Sequence, residues 1–147
     1  MSIFNSFNIN ASGMSAQRYR MDIISENLAN SNTTRTEDGT PYRRKVVTFE
    51  ERGPAVGTFS SFLGVAGSKY NRQGVKVSKV TEDTWTPMNM VYDPSHPDAD
   101  ENGYVTGPNV NVVTEMTNLI DASRSYEANA TAFNASKTIA MKGLEMA

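Results

Sequence analysis

The chain has no cysteine and a single histidine among its 147 residues. A disulfide framework and thiolate chemistry are therefore excluded, and a nucleophile–base pair of the usual kind would have to use His96 with some serine. Charge of one sign is also lacking. Fourteen basic residues are mixed with 16 acidic ones for a net charge of −2, which gives no electrostatic case for nucleic acid or an anionic membrane surface. No apolar run approaches the roughly 20 residues that span a bilayer. The opening MSIFNSFNINASG lacks both the basic start and the continuous apolar centre of a cleavable secretory signal. The expectation is a cytoplasmic protein, or one exported by a route that needs no such signal. Apolar residues make up only 38% of the chain. That suits one domain with a modest core, or a small domain with helical extensions.

What is present is concentrated at the two ends. From Asn109 to Ala147 no proline interrupts a helical pattern. Val112, Leu119, Tyr126, Phe133 and Ala140 stand at every seventh position, with Met116, Ala130 and Leu144 on the same side. Such a seam suits a partner helix. At 1.5 Å per residue the helix would be roughly 50 Å long, too long to be covered by a domain of this size. Asn109 or Asn111 is placed to cap it, Glu115 to sit in its first turn, and Lys137 and Lys142 to complement its other end. Alanines 122, 128, 130, 132, 135 and 140 are spread over several faces. Alanine permits close approach while burying little area, so several near neighbours fit better than one bulky core. A second seam runs from about Ile3 to Ala29: Phe7, Met14, Met21 and Leu28, flanked by Ile3, Ala11 and Ile24. Gly13 and three early asparagines lower helix propensity. The helix is expected to be firm from about Ser12, with the preceding turns forming on packing. Asn30 is expected to end it in a left-handed cap.

The middle changes character. Lys45–Phe49, Thr58–Leu63, the alternating Gly74–Val80 and Trp85–Tyr92 read as strands between glycine and proline turns. Gly64–Gly74 reads as a loop. The predicted fold is α+β: long N- and C-terminal helices packed as a coiled-coil-like pair, with a small antiparallel β domain inserted between them. Residues 1–34 and 108–147 form the helical part, and 35–107 the β-rich insertion, which ends in a Pro/Asp loop over 91–108. The two seams also fit the plain core of a small helical domain.

Local chemistry is thin. Asp98-Ala99-Asp100-Glu101-Asn102-Gly103 matches the first half of a calcium loop. The twelfth position, where a bidentate glutamate belongs, is Asn109. His96 with Asp93, Asp98 and Asp100 is a weak transition-metal set. Asx turns stiffened by Pro94, Pro97 and Pro108 are the stronger reading. Gly64, Gly67 and Gly74 do not fit a phosphate-cradling spacing. The Arg43-Arg44-Lys45 cluster reads as a solvated strand end rather than a nucleic-acid patch. No catalytic, cofactor or metal site is assigned. A metal-dependent binding domain and a module taking a partner helix in a groove remain as other readings.

Two boxes carry a family resemblance. Ser25 to Thr33, with Asn27-Leu28-Ala29-Asn30 and then Thr33, resembles the N-terminal signature of the flagellar rod, hook and rod–hook junction family. Asn109 and Asn111, then Glu115-Met116, Leu119-Ile120, Arg124 and Tyr126-Glu127-Ala128-Asn129, are similar to that family's C-terminal helix. Tyr92–Asp100 with Gly103-Tyr104-Val105 resembles the proximal-rod member of the family, whereas residues 51–73 match nothing specifiable. The resemblance implies a non-enzymatic axial subunit of the bacterial flagellar basal body, with no cofactor. Its terminal helices would pack into the inner tube of a torque-transmitting rod in the periplasm, with the β part outside. It would be exported unfolded by the flagellar type III apparatus. Its partners would be copies of itself, the rod subunits FlgB, FlgF and FlgG, and FliE. The packing residues would be Phe7, Met14, Met21, Ile24, Leu28, Val112, Met116, Leu119, Tyr126, Ala130, Phe133, Ala140 and Leu144.

Overall fold

The computed structural model describes residues 3–52 and 74–145. Helix α1 spans Ile3–Ala29 and helix α2 spans Val112–Glu145. Between them lie strands β1 (Lys45–Glu51), β2 (Val75–Glu82), β3 (Asn89–Tyr92) and β4 (Tyr104–Gly107). They form two antiparallel two-stranded sheets, β1–β2 and β3–β4. The α+β fold class expected from the sequence is thus observed. The expected strand at Thr58–Leu63 and nearly all of the expected loop after it lie outside the described residues.

The chain divides into two compact units. One comprises 1–19, 48–79 and 122–147; the other comprises 20–47 and 80–121. In the first, α1 and α2 pack antiparallel: the rings of Phe7 and Phe133 lie 4.9 Å apart, and Gly13 lies against Asn129. A Cβ on Gly13 would stand 2.7 Å from Asn129 Oδ1. The helix therefore tolerates a glycine that costs it about 1 kcal/mol in propensity, because the close approach requires one. The turns before Ser12 are helical from Ile3, and Phe7 on Phe133 is the packing that accompanies them. Ser12 joins β2 to this helix. Its hydroxyl donates to Ile9 O (2.7 Å) and accepts the Val75 N–H (3.1 Å). Gly74, at φ +93°, leaves the room that this contact needs.

In the second unit α1 ends and α2 begins. No non-glycine residue has positive φ among the described residues, so the left-handed cap expected at Asn30 does not occur. Instead the Asn30 side-chain amide donates to Glu26 O at 2.9 Å, and its Oδ1 accepts from the Thr33 hydroxyl. The Asn30 backbone N–H also donates to Glu26 O, and the Ser31 and Thr33 N–H groups reach Leu28 O and Asn30 O, so the last carbonyls find partners through tight turns instead of a left-handed residue. Asn111 caps α2 as expected, its Oδ1 accepting the Thr114 N–H at 3.1 Å. The 91–108 stretch, read as a loop, contains all of β4 and the end of β3. Met90 faces Thr106, and Tyr92 faces Tyr104. Strand β4 is four residues long and ends in glycine, too short to show alternation in sequence.

Candidate functional site

The deepest burial in the second unit is polar. Asn27 and Glu115 are each only 1% exposed. Asn27, on the last turns of α1, uses its full hydrogen-bonding capacity. Its Nδ2 donates to Lys45 O (2.9 Å) and Glu115 Oε2 (3.1 Å), and its Oδ1 accepts from Tyr42 Oη (2.9 Å) and Lys45 N–H (2.9 Å). Glu115, in the first turn of α2, accepts the Arg44 Nε–H at 2.8 Å through its other oxygen. Arg44 also lies 3.4 Å from Asp83 Oδ2. Asn109 completes the set, accepting the Arg44 N–H (2.8 Å) and donating to Asp83 O and Thr86 O. Lys45 pairs with Glu26. Five segments are thereby tied: the end of α1, the start of β1, the turn after β2, the lead into α2, and its first turn.

Buried charge is costly unless paired and hydrogen-bonded, and this cluster pairs it. Burial, followed by the carboxylates of Glu26, Glu115 and Glu82, pushes the Tyr42 phenol up to about 12. It therefore stays a hydrogen-bond donor to Asn27. The Thr86 hydroxyl and N–H, with help from Trp85 N–H and Arg44, hold the Asp83 carboxyl below its ordinary value. Arg44 and Lys45, read from sequence as a solvated strand end, are instead engaged here, because the Glu115 and Glu26 carboxylates meet them.

The aspartates of the acidic loop are engaged, Asp93 and Asp100 in local turns and Asp98 with Thr34. Asp93 Oδ1 accepts from Ser95 N–H and hydroxyl, which keeps that carboxyl below its ordinary value. Asp100 accepts from Asn102 and Tyr104 N–H, and Asp98 from the Thr34 hydroxyl. His96 Nδ1 accepts the Asp98 N–H. Among the described residues no three histidine or acidic side chains converge on a metal position.

The expected packing residues divide. On α1, Ile24 is buried, while Phe7, Met14, Met21 and Leu28 are half-buried. On α2, Leu119, Tyr126, Ala130, Phe133 and Ala140 are half-buried, and Val112, Met116 and Leu144 are exposed. The expectation missed Val113 and Ile120, which with Met116 form an open apolar stripe at i, i+3, i+7. The most buried line of α2 is Glu115–Ala122, and that of α1 includes Ser12, Ala16 and Asn27. These residues are small or polar, so a search for large apolar side chains passes over them. Of the family boxes, Asn27, Asn109 and Glu115 enter the polar cluster. Asn30 and Thr33 finish α1, and Asn111 starts α2. Asn129 meets Gly13 in the other unit. Ala29, Arg124 and Glu127 point to solvent.

Comparison with known proteins places the same two ends. Residues 7–35 match the family model "Flagella basal body rod protein", and residues 101–146 match "Flagellar basal body rod FlgEFG protein C-terminal". The chain is 49% identical to the flagellar basal-body rod protein FlgC of Bacillus subtilis, covering 99% of each chain. It is 43% identical to that of Borreliella burgdorferi, covering 95% of this chain and 93% of the relative. The Salmonella typhimurium protein of the same name is 40% identical, over 99% and 98%. The chain belongs to the FlgC family of flagellar basal-body rod proteins. Both FlgC-family ends thus meet in one cluster: the first matched stretch contains Asn27, and the second contains Asn109 and Glu115.

Proposed function

We infer that this chain is a structural subunit of the bacterial flagellar basal-body rod. The relatives named as rod proteins, which it matches almost end to end, support that reading. In finer detail, the subunit sits in the proximal rod. The terminal segments 1–34 and 108–147 form an axial core, packing on like helices of neighbouring copies and on FlgB, FlgF, FlgG and FliE. The 35–107 portion lies outside that core. Torque passes through many small helix contacts, and no catalytic step is involved. The subunit reaches the periplasm through the flagellar type III apparatus without a cleaved signal.

One observation carries the assembly reading: apolar side chains remain open on a helix that has already buried another face. Val113 and Ile120 are exposed while Ala122, two residues after Ile120, is fully covered. A monomer gains nothing from such a stripe, and a neighbour that covers it does. The test is Ile120→Asp. Ile120 is 52% exposed, so the unfolding free energy of the monomer should stay unchanged within about 0.5 kcal/mol. Rod assembly and motility should be lost. Normal motility would refute the stripe as a packing face, and absence of the wild-type chain from purified basal bodies would refute the rod reading altogether.

A further inference from the structure

We propose that the β3–β4 hairpin makes a head-to-tail contact between copies of this chain. Tyr92 and Met90 on the front of one hairpin would seat in the cleft behind the hairpin of the next. The register fixes the two faces. Met90, Tyr92, Tyr104 and Thr106 point one way, and Asn89, Val91, Val105 and Gly107 the other.

The front is uncharged and mostly apolar or aromatic, with Thr106 as its one short polar side chain. Met90 is 61% exposed and Tyr92 64%, yet Tyr92 is held in place. Its ring meets Tyr104 edge-on at a centroid distance of 5.2 Å. Gly103 closes on it so tightly that a Cβ there would come within 3.0 Å of Cε2. An aromatic side chain that is ordered and open at once loses little entropy on binding, and residues of this kind dominate interface energies.

The back is a cleft of about 210 Å³ in the same compact unit. Val91, Val105 and Pro108 give it apolar walls, and Asn32, Asp93 and His96 supply polar groups. A tyrosine presents the matching order, an apolar ring with a polar tip. Neither face of this two-stranded ribbon is fully covered, and an isolated ribbon of that size is marginal alone. Plug and socket lie on opposite sides of one hairpin. The contact is therefore heterologous, and repetition generates an open array rather than a closed pair. That is the symmetry a rod subunit needs, and the contact rests on the rod reading above.

Because the chain has no cysteine, engineered pairs report unambiguously. Basal bodies are isolated from cells carrying Tyr92→Cys and Asn32→Cys in one chain, treated with a short bis-maleimide, and resolved by denaturing electrophoresis. The expected result is a ladder of dimers, trimers and longer species, with each single variant giving monomer alone. Dimers from Tyr92→Cys by itself would mean a symmetric contact and overturn the proposal. Basal bodies that contain the double variant but yield no ladder would overturn it too, leaving the rod reading intact. A second arm uses Met90→Arg with Tyr92→Arg. Unchanged thermal unfolding with reduced incorporation supports the contact; unchanged incorporation overturns it.

Discussion

The two compact units treat the same pair of helices in opposite ways. In one, the end of α1 and the start of α2 are joined by a buried network with its charges paired: Asn27, Glu115, Arg44, Asp83 and Asn109. In the other, the helices meet through a ring pair and a glycine against an asparagine, while Ile139, Met141 and Leu144 stay open, Leu144 at 79%. Directional bonds among desolvated groups accept one geometry and penalise every other. Small residues and loose apolar surface accept several partners. The network therefore fixes the helix ends within its own unit, whereas the other unit is held by looser contacts; open apolar side chains occur in both, Val113 and Ile120 in the one and Ile139, Met141 and Leu144 in the other.

The largest effect should come from breaking the network. Glu115→Ala takes one acceptor from the buried Asn27 amide and the nearer of two carboxylates from Arg44, which keeps Asp83. The expected loss is about 2 kcal/mol, read by urea unfolding of the monomer, the scale of losing hydrogen bonds to a buried charged group. A loss below about 1 kcal/mol would mean that the network does not govern this unit. A middling effect tests the other unit. Gly13→Ala gains about 1 kcal/mol of helix propensity but drives a Cβ into Asn129. The substitution should be neutral or destabilising alone, and stabilising by about 1 kcal/mol when Asn129→Ala is already present. Additive effects would show that the two residues do not meet in solution.

The smallest effect is a pH dependence. The Tyr42 phenol is raised to about 12 in the folded chain from an ordinary 10.0. The unfolded phenol thus releases its proton first. Its stabilisation is complete below pH 10 and declines as pH rises towards 12. Tyr42→Phe should flatten this slope in unfolding measurements between those limits while lowering stability at neutral pH, since Asn27 loses a donor. An unaltered slope would assign the alkaline loss elsewhere.

Much of this organisation was legible in the residues. The helices at both ends, the strand beginning at Lys45 and the alternation of Val75–Val80 follow from period and breaker residues, and all are present. The sequence pattern leaves Asn109 or Asn111 as the cap of α2, and Asn111 is the one whose Oδ1 accepts the Thr114 N–H. The network was not legible. Asn27 and Asn109 are ordinary polar letters, and their partners lie 88 residues away for Asn27–Glu115 and 65 for Asn109–Arg44. Local periodicity cannot report a pairing of that span. Apart from Ile24, the large apolar residues expected to pack are half-buried or exposed, because close helix approach selects Ser12, Ala16 and Ala122 instead. Strand β4 escaped notice because it is short and sits among turn-forming aspartates.

The most direct test is amide hydrogen exchange on the isolated chain in dilute solution. Strong protection is expected over Ile24–Ala29 and Glu115–Ala122, where the polar network holds both helices, and fast exchange over Ile139–Glu145, where Ile139, Met141 and Leu144 are exposed. Uniform protection through residue 145, or none around Asn27 and Glu115, would contradict that expectation.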